Sequence, residues 1–406
     1  MFTVRRGNLG HKEKRAFAEL AKKLSLLIPL VLFFGLAGTH ESTGGVPLEE
    51  KDALVLYLKS HWQAPEEYVI AKFRDHDLVF LGEGHKFKHD VELVQSLIPL
   101  LYRIGVFELG IEFGCHEYQD KADRLVTAEA YDKNLARWLM FKWGPYWPYK
   151  EYLDIYRKAW ELNRSLPLDA PKFRIVHLDY RANWPLVRES MPTQLWKNVF
   201  FQGERDDHMA KVIIDEFVKK KKKALIYSGG IHAFTRFHEP DYDFQTRKVR
   251  AFVVSRMGNI VYAKIGERVF SIQLHFPWPA RERHGSVGYP VDGAIDAAMR
   301  GLKDKRVGFD VVGTPFGRLR DTGSIFAAAN DNLTLDALCD GYIFQKNFSE
   351  YEGVSVDPLF ITQKNFREAL EFLPNPRLRK IYKTPHQFLT DMQMKADFKL
   401  QFGNLK

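Results

Sequence analysis

The sequence predicts an α/β fold with a mainly parallel sheet flanked by helices, followed by an α+β C-terminal extension. Short apolar runs alternate with longer segments whose apolar residues recur three and four positions apart, which is the pattern of parallel β/α units. The chain has 406 residues, of which 45% are hydrophobic and 14% aromatic. This composition provides for a large buried core and gives no sign of disorder.

Four short apolar runs are predicted to be the core strands, at residues 78–81, 109–111, 174–178 and 224–227. Segments with helical spacing of apolar residues lie between them, at 91–101, 152–159 and 209–217. Three further strands are predicted in succession within residues 249–276, in RAFVVSRM, NIVYAKIG and FSIQLHFP. An amphipathic segment at 294–302 and a strand at 309–312 complete the prediction.

The first 37 residues differ from the rest of the chain. Seven Lys and Arg residues precede the apolar run LSLLIPLVLFFGLA at 24–37, which is too short for a comfortable membrane span. We therefore predict a signal peptide or an uncleaved signal anchor over residues 1–37. The protein is expected to be exported, periplasmic or secreted, with membrane association through the N-terminus if the segment is retained.

The remainder is predicted to form an α/β domain over residues 48–280 and a C-terminal extension over 281–406 that packs on the same domain. The formal net charge is +9, and residues 1–37 contribute five of these charges. About +4 remains beyond that segment, so nucleic acid is not an expected partner. The one dense basic run, at 219–223, falls where a helix is predicted to end, and cations are favourable there.

The chain has two cysteines, Cys115 and Cys339. They could pair in an oxidising compartment, but one bridge in a chain of this length is not a disulfide scaffold. Cys115 closely follows Glu112, and this placement favours a buried free thiol near the site.

Polar residues follow each of the four predicted core strands. In strand order they are Glu83 and His85, Glu112, Asp179 and Arg181, and His232. Because the carboxyl ends of parallel strands meet at one edge of a sheet, we expect these side chains to share a pocket. A carboxylate beside an imidazole can orient the ring, share its proton or bind a metal with it.

Two other segments bear on the site. In GERDDHMA, the acids Asp206 and Asp207 are interpreted as helix caps, whereas Arg205 is predicted to contact an anion or a transition state. The aromatic segment 138–152 is either a pocket wall or part of the core, and the core interpretation is favoured.

These motifs resemble the superfamily of erythromycin esterases, ChaN and TraB/Tiki proteins. The resemblance is carried by LGEGH, GIEFG, the aromatic helix that leads into IVHLDY, ERDDHMA and SGGIH, and it covers roughly residues 78–234. It implies an α/β core with a Glu/His site at the strand ends.

The branch of the superfamily is left open by the motifs. Arg205, Asp206, Met209 and Ala210 are similar to a helix start in erythromycin esterases. Those enzymes have one more residue between the Glu and the His of the first motif, and a further histidine where this chain has Gly229. The Glu-x-His spacing is similar to ChaN-like proteins that bind haem, and the lone final histidine is similar to the TraB/Tiki branch.

The leading hypothesis is a hydrolase that acts on an ester or amide bond of a small molecule or peptide. His85 would be the general base, Glu83 and Glu112 would orient it and hold protons, and His232 with Arg205 would stabilise the oxyanion.

Two alternatives use the same region. In a metal-dependent hydrolase, His85, His232, Glu83 and Glu112 would bind a divalent ion whose water is the nucleophile. Alternatively, the protein binds haem or iron without enzymatic activity, and its candidate ligands near the site include Tyr102, Tyr118, Tyr180 and Tyr227. The cofactor is therefore left open between none, a divalent metal and haem.

Overall fold

The computed structural model describes residues 48–405. The signal peptide or anchor predicted over residues 1–37 lies outside the described residues. Between residues 48 and 405, none of the helices combines the length and the apolar character needed to cross a bilayer.

A seven-stranded sheet lies at the centre of the described chain. The strands are β1 Leu78–Glu83, β2 Glu108–Cys115, β3 Arg174–Asp179, β4 Ala224–Gly229, β5 Glu239–Asp243, β6 Lys248–Val253, β7 Val269–Leu274, β8 Trp278–Pro279, β9 Val287–Gly288, β10 Val307–Asp310 and β11 Gly341–Phe344. The central sheet has the order β10-β11-β7-β1-β4-β2-β3, and only β10 at its edge runs antiparallel to its neighbour. The predicted α/β class, the mainly parallel sheet and the four core strands are confirmed.

Helices cover both faces of this sheet. They are α1 Leu48–His61, α2 Pro65–Lys72, α3 Lys88–Arg103, α4 Gln119–Thr127, α5 Lys133–Trp143, α6 Lys150–Ser165, α7 Trp196–Val199, α8 Arg205–Ile213, α9 Met257–Ile265, α10 Ala294–Arg300, α11 Leu335–Leu338, α12 Phe366–Glu371, α13 Pro376–Ile381, α14 Pro385–Ala396 and α15 Phe398–Phe402. Two small antiparallel pairs, β5 with β6 and β8 with β9, lie outside the main sheet.

One predicted strand is wrong. The segment NIVYAKIG lies in helix α9, because Met257 and Val261 are four residues apart and face the core together. Asn259 also fixes the start of this helix, since its side-chain oxygen accepts from the backbone N–H of Arg256 at 3.0 Å. An i, i+4 pair next to a capping residue indicates a helix. The strand was predicted because the run of apolar residues was given more weight than these two features.

The strand β1 is buried on both faces, as expected for the interior of a parallel sheet. Val79 and Leu81 pack into the cluster that contains helix α3, and Leu78 and Phe80 pack into the cluster that contains helix α8. Each of these fully buried side chains contributes about 1.5–3 kcal/mol through removal from water. This packing fixes where β1 ends and therefore where the residues after it lie.

The segment 352–357 bridges two loops at the carboxyl edge of the sheet, one after β1 and one before α6. Its backbone hydrogen bonds are Val354 N to Lys86 O at 3.0 Å, Lys88 N to Glu352 O at 3.0 Å, Lys150 N to Ser355 O at 2.8 Å and Asp357 N to Pro148 O at 2.7 Å. We call residues 352–357 the bridging segment. It belongs to the region 281–406, which also supplies strands β10 and β11 to the main sheet.

Candidate active site

Four neighbouring strands end side by side at one edge of the sheet, in the order β1, β4, β2, β3. Glu83 is the last residue of β1, Gly229 of β4 and Asp179 of β3, and Glu112 lies in β2. The register between β2 and β3 shifts between Ile111 and Cys115, around the position of Glu112. Such irregularities re-aim side chains next to functional sites.

The first charged pair is formed by Glu83 and His85. The Glu83 carboxylate is fully buried, and its Oε1 contacts His85 Nδ1 at 2.7 Å. Two hydroxyl groups also donate to this carboxylate, Tyr152 to Oε1 at 2.6 Å and Tyr227 to Oε2. The His85 side chain is 25% exposed, so its Nε2 is the nitrogen that remains available to a bound molecule.

The second charged pair is formed by Asp206 and His232. Asp206 Oδ1 contacts His232 Nδ1 at 2.6 Å and accepts from the backbone N–H of Met257 at 2.8 Å. Burial works against both charges. The attraction of each group for the other, with the help of Arg256 on the acid and Glu112 on the histidine, nevertheless lowers the pKa of Asp206 and raises the pKa of His232.

Asp206 and Asp207 lie in the first turn of α8, but the N-cap of this helix makes no side-chain cap hydrogen bond. The interpretation of Asp206 as a cap is wrong, because its carboxylate binds His232 and the start of helix α9. Sequence reasoning missed this partner because the local pattern of acids at a helix start already had a sufficient explanation.

Glu112 connects the second pair to the rest of the site. Its Oε2 accepts from the backbone N–H of Gly229 at 2.9 Å, and its Oε1 lies 3.7 Å from His232 Nε2. Burial opposes its ionisation, but the charges of His232, His85 and Arg205 and the Gly229 hydrogen bond outweigh burial and lower the pKa of Glu112.

The guanidinium of Arg205 bridges two carboxylates. It donates from Nε to Asp179 Oδ2 at 2.8 Å and from Nη2 to the same oxygen, and Nη2 lies 3.4 Å from Glu112 Oε1. Trp143 Nε1 also donates to Asp179 Oδ2 at 2.8 Å. Arg181, also predicted at this edge, instead binds Glu368 at 2.8 Å, so it does not join the site.

The two imidazoles approach each other at Gly229. A Cβ atom added to Gly229 would lie 2.7 Å from Cε1 and 2.9 Å from Nε2 of His85, and 3.5 Å from Cδ2 of His232. The first two distances are shorter than real Cβ contacts. A glycine at this position therefore allows His85 to occupy its place against the end of β4.

Aromatic rings from the segment 138–152 form a wall beside His85. The Trp147 ring meets the His85 ring edge-on with centroids 5.2 Å apart and stacks on Phe113 at 5.2 Å. Trp143 and Trp147 are also buried in the core. The core interpretation of this segment is correct, and two of its rings contact the site as well.

The site residues do not fit a metal centre. Among residues 48–405, no group of three or more His, Cys, Asp or Glu side chains is arranged to hold a metal ion. Both oxygens of Glu83 already accept hydrogen bonds, and Glu112 Oε2 accepts from the backbone N–H of Gly229. We therefore derive no step through a metal bound by His85, His232, Glu83 and Glu112.

Two of the candidate haem or iron ligands have their hydroxyl groups bound to other protein groups. Tyr227 donates to Glu83, and Tyr180 donates to the backbone oxygen of Gly203 at 2.6 Å. The placement of Tyr102 near the site is wrong: it lies in the last turn of α3, at the opposite edge of the sheet, and donates to Pro171 O.

The remaining candidate tyrosine contacts the aromatic segment, and neither thiol is suited to hold iron. Tyr118 packs edge-on against Trp138, with ring centroids 4.9 Å apart. Cys115 and Cys339 are free and buried, and burial raises the pKa of both thiols. A buried thiol with a raised pKa is a poor nucleophile and a poor metal ligand.

Comparison with known proteins gives similarity at the level of fold. No protein-family model matches the chain, and no curated protein does. Among solved structures, a succinoglycan biosynthesis protein superposes with a TM-score of 0.52 at 10% identity, over 77% of this chain and 100% of that one.

Two further structural neighbours bear names that match the sequence resemblance. A mutant of the erythromycin esterase EreC in its open conformation has a TM-score of 0.45 at 14% identity, over 73% of this chain and 95% of that one. ChaN of Campylobacter jejuni, solved with cofacially bound haem, has a TM-score of 0.35 at 14% identity, over 53% of this chain and 88% of that one. The structural neighbours thus include the erythromycin esterase and ChaN groups, at low identity.

Proposed function

We propose that the protein hydrolyses an ester or amide bond of a small molecule or peptide, with His85 as the general base and His232 as the cationic donor to the oxyanion. The observation that carries this proposal is the pair of imidazoles that meet at Gly229, each with Nδ1 held by a buried carboxylate. We assign the acceptor role to His85 Nε2 and the charged-donor role to His232, because Asp206 and Glu112 both favour the charged form of the His232 ring. This is the division of roles that hydrolysis requires.

The reaction begins at His85. Its Nε2 removes a proton from water, and the resulting hydroxide attacks the carbonyl carbon while the carbonyl π electrons move to oxygen. A positioned general base contributes about 10²- to 10⁴-fold to such a step. Glu83 holds the ring through Nδ1 and stabilises the imidazolium that forms.

His232 stabilises the negative oxygen of the tetrahedral intermediate. Asp206 and Glu112 outweigh burial and raise the pKa of His232, which favours the cationic ring, and Asp206 orients it. One oxyanion donor contributes about 10²- to 10³-fold. When the intermediate collapses, the bond to the leaving group breaks and the proton held by His85 passes to the departing oxygen or nitrogen. The products are a carboxylic acid and an alcohol or amine.

Arg205 and Glu112 support these groups. Glu112, whose pKa is lowered, is an anion beside His232 Nε2 and favours the charged imidazole. The Arg205 guanidinium already binds Asp179 and Glu112, so we assign it a positioning role in place of direct contact with the transition state.

The cellular setting is part of the proposal. The basic and apolar N-terminal segment supports an exported, periplasmic or secreted hydrolase, with membrane association if that segment is retained. The expected partner is its substrate.

A panel of ester and peptide substrates tests the proposal on three variants of the purified protein. His85→Gln and His232→Gln should each lose at least about 100-fold in kcat/KM. The control is His76→Gln, a histidine just before the start of β1, at the opposite edge of the sheet, where its Nδ1 contacts Lys72 O at 2.9 Å. Activity that survives both site substitutions, or activity lost equally in the control, would overturn the proposal.

A further inference from the structure

We propose that Tyr152 and Tyr227 fix the protonation of the Glu83–His85 pair, so that Glu83 remains an anion and His85 carries its proton on Nδ1. The inference deepens the proposed function and rests on it for its catalytic meaning. The hydrogen bonds that carry it do not depend on any activity.

Tyr152 has one proton and one place to donate it. Its oxygen accepts the backbone N–H of Lys86 at 3.0 Å and lies 2.6 Å from Glu83 Oε1. A phenol carries a single O–H donor, and the Lys86 nitrogen is itself a donor. The Tyr152 proton is therefore directed to the Glu83 carboxylate.

Tyr227 supplies a second phenol from the adjacent strand. It lies in β4 opposite Leu81 of β1, and its hydroxyl donates to Oε2, the other oxygen of Glu83. Both tyrosines are completely buried. Burial and the negative charge of Glu83 raise the pKa of both phenols well above the ordinary value, so they remain donors.

This arrangement determines where the proton of the pair lies. Each oxygen of Glu83 accepts a phenol proton, and hydrogen bonds donated to a carboxylate favour its ionised form. The ionised carboxylate only accepts hydrogen bonds, which places a proton on His85 Nδ1, 2.7 Å from Oε1. In the neutral ring Nε2 is then the unprotonated nitrogen, the form that a general base needs.

Tyr152 also holds the turn that carries His85. Lys86 has a φ of 75°, and a non-glycine residue in this left-handed region costs roughly 1–2 kcal/mol. The Tyr152 hydroxyl binds the carboxylate before His85 and the amide after it. It is therefore a positioning residue for both the protonation and the placement of the imidazole.

Nitrogen-15 NMR of protein labelled at histidine tests the inference without a substrate. The neutral His85 ring, assigned by its loss in His85→Gln, should be protonated at Nδ1. In Tyr152→Phe with Tyr227→Phe the Nδ1 form should lose population to the Nε2 form. Tyr156→Phe is the matched control, because this tyrosine is on the same helix but its hydroxyl lies 2.6 Å from His177 Nε2, so the His85 signals should not change.

A His85 ring protonated at Nε2 in the unmodified protein, or signals unchanged by both phenylalanine substitutions, would overturn the inference. If the double variant does not fold, Tyr152→Phe and Tyr227→Phe as single variants give the same test, because each removes one phenol donor to the carboxylate and should lower the population of the Nδ1 form.

Kinetics separate this inference from the proposed function. Once a substrate is found, each single tyrosine variant should lower kcat by about 10- to 100-fold with little change in KM. Full activity of His85→Gln would refute the proposed function and leave the NMR result standing. A lost tautomer preference with unchanged kcat would refute the positioning role alone.

Discussion

Replacing Gly229 by alanine should disable the site while leaving the fold in place. The φ of Gly229 is −56°, which any L-residue adopts, so the backbone is not strained. The added Cβ would lie 2.7 Å from His85 Cε1, where ordinary contact begins at 3.4 Å, and the ring must retreat by about 0.7 Å. Glu83 holds that ring at 2.7 Å, so the retreat lengthens this hydrogen bond.

The expected loss in kcat/KM is about 10- to 100-fold, because a displacement near 1 Å costs about 10²-fold. Overpacking costs about 1–3 kcal/mol, and the loss of glycine entropy in the unfolded chain returns about 0.4–1 kcal/mol. Urea unfolding should therefore show a net destabilisation of roughly 0–2.5 kcal/mol.

The assay for Gly229→Ala combines kcat/KM with the rate at which diethyl pyrocarbonate modifies His85, followed by peptide mass spectrometry. The second readout needs no substrate. Gly288→Ala is the control, because nothing lies within 4 Å of its added Cβ. A folded Gly229→Ala protein with unchanged kcat/KM and unchanged His85 modification would refute the steric argument.

Three other substitutions have defined outcomes. The Asp206–His232 pair stabilises the fold fully between about pH 4 and pH 6.5. Above this range the contribution is lost as His232 deprotonates through its raised pKa. Below this range it is lost as Asp206 is protonated through its lowered pKa. The loss in free energy of unfolding on Asp206→Asn, measured with urea, should accordingly be larger near about pH 5.5 than near about pH 9, and an equal loss at both would contradict the pairing. Trp143→Phe removes the indole donor to buried Asp179. The free energy of unfolding should fall by about 1–3 kcal/mol in the same urea assay, and an unchanged midpoint would contradict this expectation. Gly353→Ala would place a Cβ 1.6 Å from a backbone oxygen of helix α14. Thermal unfolding should therefore show a loss of more than about 3 kcal/mol in stability, or the protein should not fold. A normal melting curve would contradict this expectation.

The clustering of the candidate site residues could be predicted from the sequence because it follows from a rule about strand ends. Glu83, Glu112 and His232 each come at or just after an apolar run, and the parallel sheet brings those positions to one edge. Arg205 joins them from the start of a helix. The candidate role of each residue could be assigned from its residue type alone.

The hydrogen-bond partners could not be predicted in the same way. Asp206 and Tyr152 lie on helices that pack against the sheet from distant parts of the chain, and the contacts of Tyr152 with Glu83 span 69 positions. Which side of a helix meets the site is decided by tertiary packing. Local patterns therefore favoured a cap for Asp206 and a core position for Tyr152.

The bridging segment bears on the order in which parts of the protein can form their contacts during synthesis. Residues 352–357 hydrogen-bond to the loop that follows His85 and to the loop that follows Trp147, although they come about 200 residues or more later in the sequence than these loops. During synthesis, the residues up to about 357 must emerge before these loops have all their backbone partners. The nascent chain would thus acquire the complete hydrogen bonding of both loops only after residue 357 has been made, about 200 residues or more after the loops themselves.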